Sequence, residues 1–186
     1  MKARCLKILA VLAGCVFAFS APAAAEQPET KALDFLERDI RKIWASENWD
    51  LYVPVNTWHN REMYDKKKTD SYNEKPWGLG IGKHIYEDDV LRGLYFMAFS
   101  DSHSKVEPIF GYMRQWNYYF DREKNFSVGA GYTLGVTFRD DYNYLPIPVP
   151  LPVFGMQYKK FSLQTTYIPG PYNMFNVLFT WIRIEL

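Results

Sequence analysis

Large and small side chains alternate along the stretch Phe126–Phe138, which reads FSVGAGYTLGVTF. Apolar side chains, most of them bulky, occupy the even-numbered positions, and serine, glycine and threonine occupy the odd-numbered ones. Successive side chains of a β-strand point to opposite faces of the sheet. The stretch therefore predicts a strand whose bulky face suits lipid and whose small face leaves room inside a barrel.

The strand–turn–strand pattern covers the chain from Trp49 onward. Turn-forming residues at 87–89, 121–123, 159–160 and 169–171 separate its segments. The segments number eight, which is even, and each is near the length that a tilted membrane-spanning strand needs. The predicted strands are 50–60, 76–86, 92–100, 105–117, 125–139, 143–158, 161–168 and 173–186.

The last predicted strand distinguishes between kinds of barrel. Val177, Phe179, Trp181, Arg183 and Glu185 share one face, which is apolar at first and becomes charged only at its end. A porin lumen would be polar throughout, and a soluble lipid-binding barrel would have a polar exterior. The predicted fold class is all-β: an eight-stranded antiparallel transmembrane β-barrel over residues 49–186, with a partly apolar interior.

The first 25 residues have the layout of a secretory signal peptide. Basic side chains at positions 2, 4 and 7 precede an apolar segment at 8–19, and alanines at 23–25 form a small-residue cleavage site. The sequence around Cys15 also resembles a lipoprotein processing site, which remains an alternative. Cys5 and Cys15 both lie in this segment. We therefore expect a mature chain without a disulfide, a thiolate nucleophile or a cysteine metal site.

Residues 26–48 are predicted to carry an N-terminal amphipathic α-helix. Its charged side chains, at positions 37, 38, 39, 41 and 42, are expected to face away from its apolar side. The helix could be an ordinary surface helix, but beside a barrel the interpretation that it lies along the membrane interface is favoured. The apolar side comprises Leu33, Leu36, Ile40, Ile43 and Trp44.

Composition and motifs exclude several classes of function. The formal net charge of +1 gives no basic field for nucleic acid. Aromatic residues make up 18% of the chain, yet no apolar run after residue 25 is long enough for a spanning helix. There is no nucleophile elbow, phosphate-binding loop or dinucleotide motif, and the histidines lack metal-ligand spacing. We expect a monomer without cofactor or metal.

Three polar residues are predicted to meet at one rim of the barrel. His59 stands at the top of the first strand, and Asp101 and Ser102 stand at the top of the third. A histidine, a carboxylate and a hydroxyl can activate an acceptor hydroxyl and act on an ester. An Asp-Ser pair is also common in turns, and a histidine beside Trp58 can simply pack. The spacing alone leaves both interpretations open.

Prolines occur in or at the ends of the predicted strands, at Pro54, Pro76, Pro152 and Pro169. Proline cannot donate a hydrogen bond to a ladder and is rare inside a closed sheet. These prolines either mark strand ends or open gaps in the wall through which a lipid tail can pass sideways.

Several short motifs together resemble one known family. They are DLYVP at 50–54, TWH at 57–59, YNEKPWG at 72–78, GLY at 93–95, DS at 101–102, EPI at 107–109 and YIPG at 167–170. In combination they resemble the lipid A palmitoyltransferase (PagP) family from about Trp49 to Leu186. The resemblance covers nearly the whole mature chain, and the combination of motifs is highly specific.

The resemblance implies an eight-stranded barrel in the Gram-negative outer membrane, with an N-terminal amphipathic helix. With eight strands both chain ends should lie on the periplasmic side, so the long connections and the rim with the active site should face the cell exterior. The resemblance implies transfer of palmitate from the sn-1 position of a phospholipid to lipid A, without a cofactor. It also implies catalytic roles for His59, Asp101 and Ser102, and lateral gates at the four prolines.

One position departs from the family. In the best-known member, a glycine on the fourth strand forms the floor of the acyl pocket, and Met113 occupies that position here. Ile109, Gly111 and Met113 alternate with Phe110 and Tyr112, which suit the lipid face, so Met113 should face the lumen. A methionine there predicts a preference for a chain shorter than palmitate, unless the glycines at 129 and 131 restore the depth.

Two other functions compete with the acyltransferase. A small non-enzymatic barrel could bind lipid or stabilise the outer membrane, although such a barrel needs neither the rim residues nor the gate prolines. A phospholipase would use water as the acceptor in place of the sugar.

Overall fold

The computed structural model describes residues 28–186, with side chains from Leu33 onward, so the predicted signal peptide lies outside the described residues. Residues 35–186 form one compact unit, and the earlier residues belong to a second unit of which the helical backbone from Pro28 is described. The elements are α1 (Pro28–Ala45), β1 (Trp49–His59), α2 (Lys66–Thr69), β2 (Gly78–Glu87), β3 (Val90–Ser100), β4 (Val106–Tyr119), β5 (Phe126–Phe138), β6 (Pro146–Tyr158), β7 (Phe161–Ile168) and β8 (Val177–Glu185).

The eight strands form a closed antiparallel barrel in sequence order, with β1 paired to β8. This confirms the predicted fold class. The predicted strand bounds differ most at β8, which begins at Val177 because Asn173, Phe175 and Asn176 have positive φ angles that a strand excludes. Among the described residues, no helix is long and apolar enough to cross a membrane.

The two faces of β5 confirm the alternation seen in its sequence. Val128 and Leu134 are exposed on the outside, whereas Ser127, Thr133 and Thr137 are buried inside. Neighbouring strands present further large apolar side chains on the outer surface, and a continuous apolar exterior suits a membrane. These exposed side chains include Leu79, Ile81, Phe96, Phe110, Phe154, Met156 and Leu163.

The interior has an apolar middle and a charged end. We call the end with the longer loops the rim end, and the end with the tight turns and the barrel's terminal residues the turn end. Arg183 is fully buried near the turn end, where its Nη1 donates to Asp50 Oδ1 at 3.0 Å and its Nη2 to the Tyr86 hydroxyl at 2.7 Å. The apolar middle consists of Tyr52, Leu91, Tyr95, Met97, Phe99, Met113, Val153, Phe179 and Trp181.

The part of helix α1 from Phe35 onward packs against the outside of the barrel with a face that differs from the prediction. Asp39, expected to face away, is 2% exposed, and its carboxylate accepts hydrogen bonds from Arg92 Nη1 at 2.9 Å and Tyr112 Oη at 2.7 Å. A charged side chain on an apolar surface is costly without a partner of opposite charge. The pairing of Arg92 with Asp39 therefore determines which face of the helix contacts the barrel. The helix also covers Tyr112, which we expected to face lipid. Trp44 remains 73% exposed.

The wall has a gap between the rim halves of β6 and β7. β6 pairs with β5 along its whole length but with β7 only over residues 154–158. Proline has no N–H to donate, and alternate residues of an antiparallel strand direct their backbone groups to the same neighbour. The missing donors therefore lie on the β7 side of the gap, next to Pro169. The prolines on alternate positions of β6 are Pro146, Pro148, Pro150 and Pro152.

A second gap lies between the rim halves of β1 and β2. β1 pairs with β2 only over residues 49–52, whereas its pairing with β8 continues to His59, with a register shift between Pro54 and Asn56. Pro76 stands just before β2. Above the gap, the Thr57 N–H donates to the Glu74 carbonyl at 3.0 Å. Each gap thus has two of the four predicted prolines beside it, and their use by a lipid remains a prediction.

The Asp39 contacts make a prediction about stability. Asp39→Ala removes the acceptor of two buried hydrogen bonds, one from a charged donor. We expect the free energy of unfolding in detergent to fall by about 1.5–3 kcal/mol, with the barrel's circular dichroism unchanged. Glu37→Ala is the matched control, because Glu37 pairs with Arg41 on the exposed face and should contribute about 0.5 kcal/mol or less. Equal effects of the two substitutions would contradict the prediction.

Candidate active site

A histidine and a serine are hydrogen-bonded at the rim. His59, the last residue of β1, is 2% exposed, and Ser102 follows β3. Ser102 Oγ lies 3.0 Å from His59 Nε2. The Asn73 N–H donates to the Ser102 carbonyl at 2.9 Å, which fixes the loop in place. The distance suits proton transfer between a hydroxyl and an imidazole.

Asp101 shapes the turn that carries Ser102. It is 4% exposed, and its Oδ1 accepts the backbone N–H groups of His103 at 2.9 Å and Lys105 at 2.8 Å. Its Oδ2 lies 3.8 Å from Arg139 Nη2. The structure therefore places all three predicted residues at one rim, joins His59 directly to Ser102, and uses Asp101 to hold the turn.

A carboxylate that we did not predict contacts the other side of the histidine. Glu74 Oε1 lies 3.1 Å from His59 Nδ1 and accepts the His59 backbone N–H at 3.0 Å. Arg61 Nη2 donates to Glu74 Oε2 at 2.6 Å. Burial opposes the ionisation of Glu74, but hydrogen bonds from Arg61 and His59 outweigh it and lower the pKa of this carboxyl. The only sequence signal for Glu74 is its place in the motif YNEKPWG at 72–78. That motif does not indicate that Glu74 contacts His59.

Two tyrosines enclose the imidazole. The Tyr72 ring lies 4.6 Å from the His59 ring between centroids, and the Tyr64 ring meets it edge-on at 5.4 Å. Burial raises the pKa of Tyr64 to about 12 and also raises the pKa of Tyr72. Both phenols are therefore neutral at neutral pH. They shield the His59 ring from water and limit its rotation.

An internal cavity of about 350 Å³ opens beside this pair. Polar groups, among them His59, Ser102 and Arg139, line its mouth. The volume falls within the usual range for small-molecule pockets. A polar mouth above an apolar interior suits a molecule with a polar head and a hydrocarbon chain. The deeper lining is mostly apolar, with some threonines, and its large apolar side chains include Phe99, Ile109, Val149, Leu151 and Phe179.

The cavity ends one layer above Met113. On β4 its lining stops at Ile109, and the next inward position is Gly111, where an added Cβ would lie 2.9 Å from the Tyr95 hydroxyl. That hydroxyl is 2.7 Å from Thr133 Oγ1, and neither of these two side chains lines the cavity. Met113 is 1% exposed and faces the interior beneath them. Its role as the floor of an acyl pocket remains a prediction.

Three rim side chains have donor atoms close enough to share a metal ion. Asp101, His103 and Asp141 each offer one ligand atom, and these atoms lie within 4.8 Å of one another. Arg139 Nη2 lies 3.3 Å from Asp141 Oδ2 and 3.8 Å from Asp101 Oδ2. The guanidinium supplies the positive charge that the two carboxylates need and would repel a cation. We therefore assign the cluster to an arginine–carboxylate network.

The fold and the rim define a class of protein: a membrane β-barrel with a hydrogen-bonded histidine and serine at the mouth of a largely apolar cavity. Residues 39–183 match the family described as "Antimicrobial peptide resistance and lipid A acylation protein PagP". The chain belongs to this family, which confirms the resemblance seen in its motifs. Family and barrel together identify an outer-membrane protein.

Several relatives are similar over most of their length. "Lipid A acyltransferase PagP" of Laribacter hongkongensis (strain HLHK9) is 47% identical over 149 residues, which cover 80% of this chain and 71% of that protein. The protein of the same name from Yersinia enterocolitica serotype O:8 / biotype 1B (strain NCTC 13174 / 8081) is 52% identical, covering 80% and 73%. That of Enterobacter lignolyticus (strain SCF1) is 44% identical, covering 96% and 94%.

Among solved structures, the Yersinia pestis outer membrane protein Ail covers 76% of this chain and 100% of its own chain. Its sequence identity is 8% and its TM-score is 0.37. With this identity and TM-score, the similarity supports no conclusion about this protein.

Proposed function

We propose that this protein transfers a fatty acyl chain from the sn-1 position of a phospholipid to lipid A, with its rim facing the cell exterior. The observation that carries the proposal is the His59–Ser102 hydrogen bond at the mouth of an apolar cavity. The relatives named as lipid A acyltransferases support the acceptor. The apolar cavity supports a substrate with a hydrocarbon chain, as a phospholipid donor has.

The proposed chemistry needs one group that takes and returns a proton. An attacking hydroxyl forms a bond to the ester carbonyl carbon and gives its proton to His59 Nε2. The bond between that carbon and the glycerol oxygen then breaks, and His59 returns the proton to the departing oxygen. Ser102 is the protein hydroxyl within reach of Nε2 and makes the first attack, which leaves the acyl group on its Oγ. The lipid A hydroxyl then attacks this ester and gives its proton to Nε2, and His59 returns that proton to Ser102 Oγ as the acyl group passes to lipid A.

The two gaps supply the routes by which lipids would enter from the membrane. A phospholipid in the outer leaflet has its acyl chains level with the rim halves of the strands. The gap beside Pro54 and Pro76 and the gap beside Pro152 and Pro169 interrupt the wall at that level. We propose that acyl chains pass through these openings without leaving the apolar phase.

The first test is the product. The purified protein in detergent, given phospholipid and lipid A, should yield a lipid A species that is one acyl chain heavier in mass spectrometry. His59→Ala, Asp101→Ala and Ser102→Ala should each reduce the rate about 10²–10⁴-fold with the barrel still folded, because each disturbs proton transfer. Ser71→Ala, in an exposed loop position, is the control and should retain the wild-type rate.

Three outcomes of that test would contradict the proposal. Free fatty acid as the sole product would identify a phospholipase. Full activity of the double variant His59→Ala/Ser102→Ala would remove both residues from the mechanism. No reaction with any acyl donor would favour a structural barrel.

The second test closes each gap with a disulfide. Cysteine pairs that continue the strand register, Val53→Cys with Leu79→Cys and Pro152→Cys with Tyr167→Cys, should stop turnover when oxidised and restore it when reduced. Phe96→Cys with Phe110→Cys is the control, because these exposed residues face each other on fully paired strands. Normal turnover in both oxidised gap variants would refute lateral entry.

The third test concerns chain length. Donors with twelve-, fourteen- and sixteen-carbon sn-1 chains are offered in competition, and we expect the wild type to prefer a chain shorter than palmitate. Met113→Gly frees volume beneath Tyr95 and Thr133 and should shift the preference toward longer chains, at about 0.8 kcal/mol for each methylene admitted. Met156→Gly, on the outer surface, is the control. A palmitate preference that Met113→Gly leaves unaltered would exclude Met113 as the floor.

A further inference from the structure

We propose that Glu74 is the positioning residue of the site, and that it holds His59 in the one tautomer and ring orientation that can accept a proton from Ser102. This inference rests on the proposed function, and it assigns to Glu74 the part that a spacing argument would give to Asp101.

The tautomer follows from the chemistry of the two partners of the imidazole. Glu74 Oε1 lies 3.1 Å from Nδ1, and an ionised carboxylate can only accept a hydrogen bond. The proton of a neutral His59 is therefore on Nδ1. Nε2 then has a free lone pair, and that atom is the one 3.0 Å from Ser102 Oγ. The serine hydroxyl is thus the donor of this hydrogen bond.

The position of the carboxylate is fixed from several sides. Glu74 accepts the His59 backbone N–H with the same oxygen that faces Nδ1, at 3.0 Å. Arg61 holds the other oxygen at 2.6 Å, and the Thr57 N–H holds the Glu74 carbonyl. A carboxylate held in this way does not have to reorganise when charge develops on the ring.

The Asp101 carboxylate contacts groups other than the His59 ring. Its Oδ1 accepts two backbone N–H groups of its own turn, and its Oδ2 faces Arg139. Asp101 therefore determines the position of Ser102, and Glu74 determines the ring orientation and tautomer of His59. When His59 takes a proton from the attacking hydroxyl, the Glu74 carboxylate stabilises the imidazolium until the proton passes to the departing oxygen. Glu74 itself neither gains nor loses a proton.

The substitution Glu74→Gln tests the proposal. Its side-chain amide can donate to Nδ1 and so favours the wrong tautomer. We expect kcat for acyl transfer to fall about 10²-fold or more, with KM nearly unchanged because Glu74 does not line the cavity. Glu74→Asp keeps the charge and should regain part of the loss. Glu62→Gln makes the same change at an exposed position of the same loop and should retain the wild-type rate.

A spectroscopic measurement is independent of turnover. In ¹⁵N-histidine-labelled protein in detergent micelles, His59 should have its proton on Nδ1 in the wild type and should lose that preference in Glu74→Gln. Wild-type protein with its proton on Nε2 would overturn the proposal, even if Glu74→Gln did not fold. Wild-type kcat in a folded Glu74→Gln would also overturn it. A wild type that transfers no acyl chain would instead count against the proposed function.

Discussion

A backbone N–H or C=O group that faces hydrocarbon without a partner costs several kcal/mol, and this constraint governs the whole barrel. Closure between β1 and β8 removes the two strand edges that an open sheet would leave in the membrane. The same constraint explains why the gaps contain proline. An opening in the wall leaves backbone groups unpaired, and a proline at the opening has no N–H to leave unsatisfied. β6 uses four prolines on one edge, so its rim half separates from β7 with fewer unpaired donors.

The interior divides into a part that can receive a chain and a part that cannot. In the rim half a largely apolar lining encloses a cavity. Near the turn end, the fully buried Arg183 contacts Asp50, Tyr86 and Glu185 in a network that is partly buried at Tyr86 and Glu185. Opening that network would expose a buried charge, so it acts as a plug and keeps the lumen from becoming a channel. On the outer surface, too, buried polar groups are paired with one another: Asp39 of α1 accepts hydrogen bonds from Arg92 on β3 and Tyr112 on β4.

The fold could be predicted because the alternation of side chains along a strand is visible in the sequence of that strand alone. The period of two in Phe126–Phe138 is such a local pattern. What the sequence did not predict depends on contacts between elements. Asp39 looks like its charged neighbours, and only Arg92 and Tyr112 on the barrel make it the buried one. The meeting of His59, Asp101 and Ser102 at one rim could be predicted from the strand order, but Glu74 reaches His59 only through the path of a loop. The hydrogen bond between Tyr95 and Thr133 joins β3 to β5, and the sequence of neither strand indicates it.

The two gaps divide the rim half of the barrel into two panels, one of the five strands β2–β6 and one of the three strands β7, β8 and β1. Within each panel adjacent strands are paired up to the rim, whereas strand pairing between the panels is confined to the turn end. Single hydrogen bonds, from Thr57 to Glu74 and from Thr166 to Pro152, cross the two gaps. His59 belongs to the three-strand panel and Ser102 to the five-strand panel. Their hydrogen bond therefore spans the seam between the two panels. Any spreading of the panels lengthens the distance between Nε2 and Oγ before it breaks a bond within either panel.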